Sequence, residues 1–419
     1  MRYYKMEIVF KIIIIFSLIV IIYMSSKYLY SNYIKYKKEY AKLKKKQFGG
    51  QNNIELDEPV KLDEPVKLNE SISQGNNNFA MKLSQQLDKN NIFSPLSITF
   101  ALSLLHQSAK NNTDKELTNL FNHKYSLDEL KQLYFVFNNN IINMTNAILI
   151  NKKYQVDDQY LNSIKNMVHI EHDNFNNKLA IANKINNYIT KNTHGLIKNI
   201  VNENDISDLT ILILINTIYF KANWLHEFKG NDTHKMTFNK NDQLQVDMMY
   251  QKNNFDYYEN DDLQLLEMPY KNEDYVMGII LSKSNDIPKL VNEQINKFIK
   301  NLKHLNVKLY LPKFKHRKNI QLVPLLQKLG VDDLFNSNAQ LSISDKAYVS
   351  KIIHEAVVIV DEKGTEAAAV TVVIMRDMMM MPPKEQIIFK ADHSFIYYIR
   401  NKPSNLILFY GDFHGISSN

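Results

Sequence analysis

The segment Leu209–Phe220 is apolar or β-branched at every position except Asn216. A strand with no polar face belongs in the middle of a sheet that is covered on both sides. Such a sheet needs a large body around it. The chain has 419 residues and is 45% hydrophobic, enough for an extensive core and too apolar for wholesale disorder. Helical patterns dominate early, over residues 79–120. Ser94-Pro95 reads as a helix start, with a Ser cap and Pro in the first turn, followed by Ile98, Phe100, Ala101, Leu102, Leu104 and Leu105. Asn112-Thr113 precedes a second short helix. Strand patterns dominate later, at Val307–Phe314, Val357–Val360, Ile387–Phe389, Phe395–Arg400 and Asn405–Tyr410. The expected class is α+β, in one domain of roughly 340 residues with no internal boundary.

The net charge of +7 belongs to one end. Residues 1–50 hold eleven of the 51 basic and two of the 44 acidic residues, leaving 40 basic and 42 acidic in the rest. A nearly neutral body argues against nucleic-acid binding. Residues 8–24 are apolar except for Lys11 and Ser17; as a helix they span roughly 26 Å, close to a bilayer's hydrocarbon core. They read as an uncleaved membrane anchor within residues 1–24. The competing reading is a secretory signal, with Arg2 and Lys5 in front and Ser25-Ser26 as the small residues behind. The first holds the protein at a membrane and the second secretes it. The basic flank after the span (Lys27, Lys35, Lys37, Lys38, Lys42) would keep the body cytoplasmic. Residues 25–75 read as a basic stalk and linker: Leu-Asp-Glu-Pro-Val-Lys occurs twice over 56–67, and Gly75-Asn76-Asn77-Asn78 closes it, so the folded domain is expected over 76–419.

Several chemistries are excluded. The chain has no cysteine, so disulfide scaffolds, thiolate metal sites and cysteine nucleophiles are ruled out. Neither glycine-rich nucleotide loop nor Gly-x-Ser-x-Gly elbow occurs. His354-Glu355 begins a zinc-protease pattern, but Val358 stands where the second His is needed. No cofactor, metal or enzymatic activity is expected, and the twelve His read as surface or core residues.

Between the strand patterns Val357–Val360 and Ile387–Phe389 lies a connection of about twenty-five residues, a length usually kept for function. Six motifs follow one another across 79–419: Asn91–Ile98; Ala182–Tyr188 with Thr193-His194-Gly195; Asn216–Trp224 with Phe228; Leu311-Pro312-Lys313-Phe314; Asp392-His393-Ser394-Phe395; and Phe409-Tyr410-Gly411. Together they resemble the serpin family of serine protease inhibitors, with Tyr188 in place of the family's usual Trp and Ser394 in place of its Pro. The resemblance implies a serpin fold of three β-sheets and eight or nine helices. It also implies that the long connection is an exposed reactive-centre loop, in a protein expected to be monomeric. A protease cleaves such a loop, and the loop then enters the central sheet and traps the acyl-enzyme.

Insertion imposes its own test, because alternate side chains must enter a buried face. The hinge is Glu362, Gly364, Thr365, Glu366, Ala367, Ala368, Ala369 and Thr371. Counting from Gly364, the inward set is Thr365, Ala367, Ala369 and Thr371, all small and uncharged, with Glu366 outward. The reading is therefore an inhibitor, against the alternative of a non-inhibitory serpin acting as a binding, chaperone-like or tethered display protein. Family spacing puts the reactive bond at Met378-Met379, and counting back from Pro382-Pro383 puts it at Met379-Met380. Either suits a chymotrypsin- or elastase-like target. Arg376-Asp377 would suit a trypsin-like one. The basic residues Lys300, Lys303, Lys308, Lys313, Lys315, Arg317 and Lys318 are a candidate surface for a heparin-like polyanion, against the alternative of a solvated face. The bias to Ile, Asn and Lys fits an AT-rich genome, viral or parasitic.

Overall fold

The computed structural model of the chain describes residues 68–206, 210–239, 244–284, 286–343, 347–365 and 386–415. The first half runs α1 (Glu70–Ser84), β1 (Ile92–Phe93), α2 (Pro95–His106), α3 (Asn111–Phe121), α4 (Leu127–Phe137), β2 (Ile142–Asn151), α5 (Asp158–Ile164), β3 (His169–Asp173) and α6 (Lys178–Asn192). Then follow β4 (Leu212–Phe220), β5 (Ala222–Asn223), β6 (His234–Phe238), β7 (Leu244–Glu259), β8 (Leu263–Pro269), β9 (Tyr275–Ser282) and α7 (Asn292–Lys300). The rest is β10 (Lys303–Pro312), β11 (Phe314–Gln321), α8 (Val323–Lys328), β12 (Val349–Val360), β13 (Gly364–Thr365), β14 (Ile387–Lys390), β15 (Phe395–Asn401) and β16 (Leu406–Phe413). Eight α-helices thus lie among the described residues, and the class is α+β as expected.

Strand β4 occupies the centre of a seven-stranded sheet of order β3-β2-β4-β12-β13-β5, with β11 on the far side of β12. All nine of its residues are buried. Its alternation serves two cores. Leu212, Leu214 and Ile218 face the main core with α2, whereas Ile213 and Ile215 pack with Ile181, Ile185 and Ile189 of α6. Each such side chain contributes about 1.5–3 kcal/mol of transfer free energy, so α6 is held firmly over one face. On the other face every residue of α2 is buried. Its start is the predicted one: the Ser94 hydroxyl accepts from the Ser97 N–H at 3.1 Å, and Pro95 follows.

The second sheet has nine strands, in the order β1-β16-β15-β9-β8-β7-β10-β14, with β6 on β7. The long strand β7 pairs with β6 at one end and with β8 at the other. Hydrogen bonding therefore runs unbroken through regions that the family resemblance counts as separate sheets.

Two sequence expectations are corrected. Gly75–Asn78 does not close a linker. It lies inside α1, which Asn69 caps and which is already buried at Ile72. Gly75 is required by a close approach, since a Cβ there would sit 2.4 Å from the Phe121 carbonyl oxygen. The domain therefore begins before residue 76. Val307–Phe314 is not one strand. Pro312 ends β10, the Lys313 N–H donates to the Asp247 carbonyl at 2.8 Å, and β11 continues in the other sheet. The anchor, signal and stalk assignments for residues 1–67 lie outside the described residues. Among the described residues no helix is long and apolar enough to cross a membrane.

Candidate functional site

The long connection leaves β12 at a tightly built turn. The Asp361 Oδ1 accepts from the N–H groups of Lys363 at 2.9 Å and Gly364 at 3.1 Å, an Asp-closed turn. The chain then doubles back as β13, where Gly364 pairs with Asn223, and Thr365 pairs with both Ala222 and Val360. Two residues are thus wedged between β5 and the end of β12. Only glycine fits the first position, because a Cβ on Gly364 would lie 2.2 Å from the Ala222 oxygen. Thr365 is fully buried, with its hydroxyl 2.9 Å from that of Tyr270. Burial pushes the Tyr270 phenol well above its ordinary value, so it stays neutral and hydrogen-bonding.

Trp224 organises this turn. Its indole Nε1 donates to the Asp361 carbonyl at 2.9 Å, and its backbone N–H donates to that of Lys363 at 2.8 Å. The Phe228 N–H takes the Glu362 carbonyl at 2.7 Å. The indole lies on the Tyr270 ring, 4.5 Å between centroids and 16° between planes. Glu362 is anchored from the side by the Lys313 ammonium at 2.8 Å and the Thr233 hydroxyl at 2.9 Å. Burial alone would raise its carboxyl pKa; the Lys313 and Thr233 contacts outweigh this, and the net shift is downward. The pair is part-exposed, so its worth is about 1 kcal/mol. Glu362→Lys should therefore lower the denaturation midpoint and Lys313→Glu should do the same. The charge-swapped double variant should recover part of the loss; a double variant no better than the sum of the two singles refutes the pairing.

Below the turn lies a seam. Strands β4 and β12 are parallel and hydrogen-bonded from the Val349–Leu212 pair to the Val357–Tyr219 pair. A buried polar lock spans it at the His354–Asn216 pair. The Ser94 N–H donates to His354 Nε2 at 3.1 Å, so the ring proton is on Nδ1, which donates to Asn216 Oδ1 at 2.6 Å. The Ser97 hydroxyl donates to the same oxygen at 2.6 Å, and Asn216 Nδ2 donates to Asn146 Oδ1 at 2.5 Å. One network ties β12, β4, β2 and α2. Burial drives the His354 pKa down to about 3, so the ring is neutral. On the opposite face Glu355 is 1% exposed and accepts from Arg317 Nε at 2.6 Å and Asn319 Nδ2 at 3.1 Å.

The structure gathers Glu362, Gly364 and Thr365 at the open end of this seam. The other residues expected from the sequence to form the hinge and reactive bond (Glu366, Ala367, Ala368, Ala369, Thr371, Arg376, Asp377, Met378, Met379) lie outside the described residues. The basic stretch does not form one patch. Lys303 and Lys308 are on β10 in the nine-stranded sheet, whereas Lys315, Arg317 and Lys318 are on β11 in the other. Lys313 is committed to Glu362 and Arg317 to Glu355. The reason is the same Pro312 break that divides the predicted strand. His354 and Asn216 are functional candidates that sequence reasoning missed. The available signal was Asn216 itself, the one amide in an otherwise apolar run, because a buried amide needs partners.

Comparison with known proteins agrees with this architecture. The sequence model of the family described as Serpin (serine protease inhibitor) matches residues 74–415. A serpin-like protein of Acanthamoeba polyphaga mimivirus is 44% identical over 398 residues, covering 91% of this chain and 98% of the relative. Human neuroserpin is 32% identical over 357 residues, covering 77% and 85%. The crystal structure of Serpin48 from the insect Tenebrio molitor superposes with a TM-score of 0.72 at 27% identity, covering 83% of this chain and 98% of that one. The matched region runs from within α1 to the residues just past β16 and takes in the hinge, the seam and both sheets, so the chain belongs to the serpin family.

Proposed function

We propose that the protein is a suicide inhibitor of a serine protease, with residues 366–385 as its bait. One observation carries the reading: Thr365 is already buried between β5 and β12, at the mouth of the β4–β12 seam. A chain continuing from Thr365 along the seam runs antiparallel to both strands. It replaces one parallel ladder with two antiparallel ones, each slightly more stable per residue. The buried Thr365 agrees with the small, uncharged inward set of Thr365, Ala367, Ala369 and Thr371. The reaction balances simply. The protease serine oxygen bonds to the carbonyl carbon of the reactive residue, the peptide C–N bond breaks, and the serine proton leaves on the new amine. The N-terminal side, still esterified to the protease, then enters the sheet.

The bond assigned here is Met378-Met379, with Met379-Met380 as the adjacent register, and the target is chymotrypsin- or elastase-like. Arg376-Asp377 would make it trypsin-like. The test is incubation with chymotrypsin, elastase, trypsin and thrombin, followed by denaturing gels and mass analysis of the released C-terminal peptide. A covalent complex is expected with at least one enzyme, and the peptide mass locates the bond. Cleavage by all reactive enzymes without a complex refutes inhibition and favours a binding or display role. The apolar run 8–24 supports a membrane tether for this inhibitor. N-terminal sequencing of the native protein checks it: a start at or after Ser26 makes the protein secreted instead.

A further inference from the structure

At one end of the β15–β16 pair, three side chains stand in hydrogen-bonded series. Phe395 and Phe413 are register partners, so Ser394 and His414 flank that pair on the two chains. Asp412 and His414 lie on either side of Phe413 and share the face opposite to its buried ring. The Ser394 Oγ lies 2.9 Å from His414 Nδ1, and His414 Nε2 lies 2.7 Å from Asp412 Oδ2. Asp412 is fixed from behind. The pairing of β1 with β16 brings the Asn90 N–H to 2.7 Å from its Oδ2 and the Asn91 N–H to 3.1 Å from its Oδ1. A carboxylate so held accepts the Nε2 proton, which leaves Nδ1 as the acceptor for the Ser394 hydroxyl. The other imidazoles nearby are engaged elsewhere. His393 meets Asp392 Oδ1 at 3.1 Å and the Ser282 carbonyl at 2.8 Å, and His316 meets the Tyr397 hydroxyl at 2.7 Å and the Asn90 carbonyl at 3.2 Å. The His414 and Asp412 side chains are each 20% exposed and Ser394 is half-buried, so a small molecule reaches the hydroxyl. Ser394 stands where the family has Pro, so the family's inhibitory mechanism has no use for a hydroxyl at this place.

We propose that Ser394 is a base-activated nucleophile that accepts an acyl group from small activated esters, aryl acetates being the simplest class. His414 is the base, and Asp412 is a positioning residue that fixes the ring and its tautomer. Such a series is recognised by geometry and roles, so the missing Gly-x-Ser-x-Gly elbow does not exclude it. The step balances. The Ser394 oxygen bonds to the ester carbonyl carbon as its proton passes to His414 Nδ1. The bond from that carbon to the aryl oxygen breaks, and His414 returns the proton to the departing phenoxide. The products are acylated Ser394 and a phenol. A half-buried hydroxyl admits a small acyl group, and an aryl leaving group departs readily. The site is independent of the reactive loop and of the inhibition proposed above.

The probe is p-nitrophenyl acetate, mixed with the full chain. A burst of one p-nitrophenolate per chain is expected, and peptide mass mapping should place the acetyl group on Ser394. Ser394→Ala should abolish the burst. His414→Ala should slow it on the order of a hundredfold, the usual worth of a positioned base. Added imidazole should restore part of that rate to His414→Ala and none to Ser394→Ala, which a purely structural role for the ring would not produce. Asp412→Asn should slow the burst about tenfold, and Asp412→Glu should recover part of the loss. Melting curves show which variants are folded. Acetyl found on lysines but not on Ser394, or an equal burst from Ser394→Ala, overturns the proposal, and this comparison decides it even where a His414 or Asp412 variant does not fold. A folded His414→Ala that reacts at the wild-type rate overturns the role of the base.

Discussion

Thr365→Arg is expected to turn the proposed inhibitor into a substrate: the target protease cleaves the segment 366–385, but no covalent complex survives denaturation. Thr365 is fully buried, and its hydroxyl shares a hydrogen bond with Tyr270, itself fully enclosed. A guanidinium placed there finds no carboxylate, since Glu362 is engaged by Lys313 and Thr233. Burying it costs several kcal/mol. The alternative is for β13 to leave the sheet, which removes the first step of insertion. Trapping is a race between insertion and hydrolysis of the acyl-enzyme. A barrier raised by about 3 kcal/mol slows insertion on the order of a hundredfold, enough to hand the race to hydrolysis. Thr365→Ser keeps the small size and the hydroxyl, and should still form the complex. The readout is the ratio of complex to cleaved product on denaturing gels, beside a melting curve showing that the Arg variant is folded. A folded Arg variant that forms complex at the wild-type ratio defeats the insertion mechanism.

Much of the fold is legible because local and tertiary demands agree. The two-faced apolar run at Leu212–Phe220 could only be a central strand, and Ser94-Pro95 could only be a helix start. The failures occur where a distant partner decides. The Gly75–Asn78 stretch reads as a turn because asparagine usually satisfies its own local backbone. Here the Asn76 amide donates to the Ile407 carbonyl at 2.9 Å, 331 residues away, and Asn77 both donates to the Asn405 carbonyl and accepts from the Ile407 N–H. Those bonds cap the β15–β16 turn, and they hold the residues in helix. The alternation through Val307–Phe314 is real, but periodicity has no register for a chain that changes sheets at Pro312. The hinge turn was legible as a motif but not as a mechanism. Nothing local to Trp224 says that its indole and backbone hold two of the turn's carbonyls, 137 residues on. The lock was hidden for a related reason, since His354 and Asn216 meet only once β12 lies beside β4.

His354→Ala should produce the largest loss of stability of any single change at the seam, and its size should depend on pH in a specified way. The substitution leaves the Ser94 N–H, fully buried, without its acceptor, at a cost of about 1–3 kcal/mol. The vacated imidazole space adds a cavity term, for a total of about 3–5 kcal/mol at pH 7. The seam also loses the bond to Asn216, so the variant should lose inhibitory activity on storage faster than the wild type. The pH dependence separates these terms from charge. Burial lowers the folded pKa of His354 to about 3 and that of His316 to about 4, both below the ordinary 6.5. A depressed pKa means that the folded form resists protonation. The associated stability is complete above pH 6.5 and is lost as the pH falls toward the folded values. Each ring contributes a slope of about 1.4 kcal/mol per pH unit in that window, or about 2 kcal/mol lost per ring at pH 5. His354→Gln supplies the decisive comparison. Its amide carries both a donor and an acceptor, so it can answer the Asn216 oxygen and the Ser94 N–H, but it does not titrate. In denaturation series at pH 7 and pH 5 the wild type should weaken more steeply than His354→Gln, by about 2 kcal/mol at pH 5, because the variant keeps the contributions of His316 and of the other rings whose pKa burial lowers, His106 and His169, but loses that of His354. Parallel pH profiles for the two proteins would show that the buried ring is not held neutral by the seam, and the lock would lose its electrostatic basis.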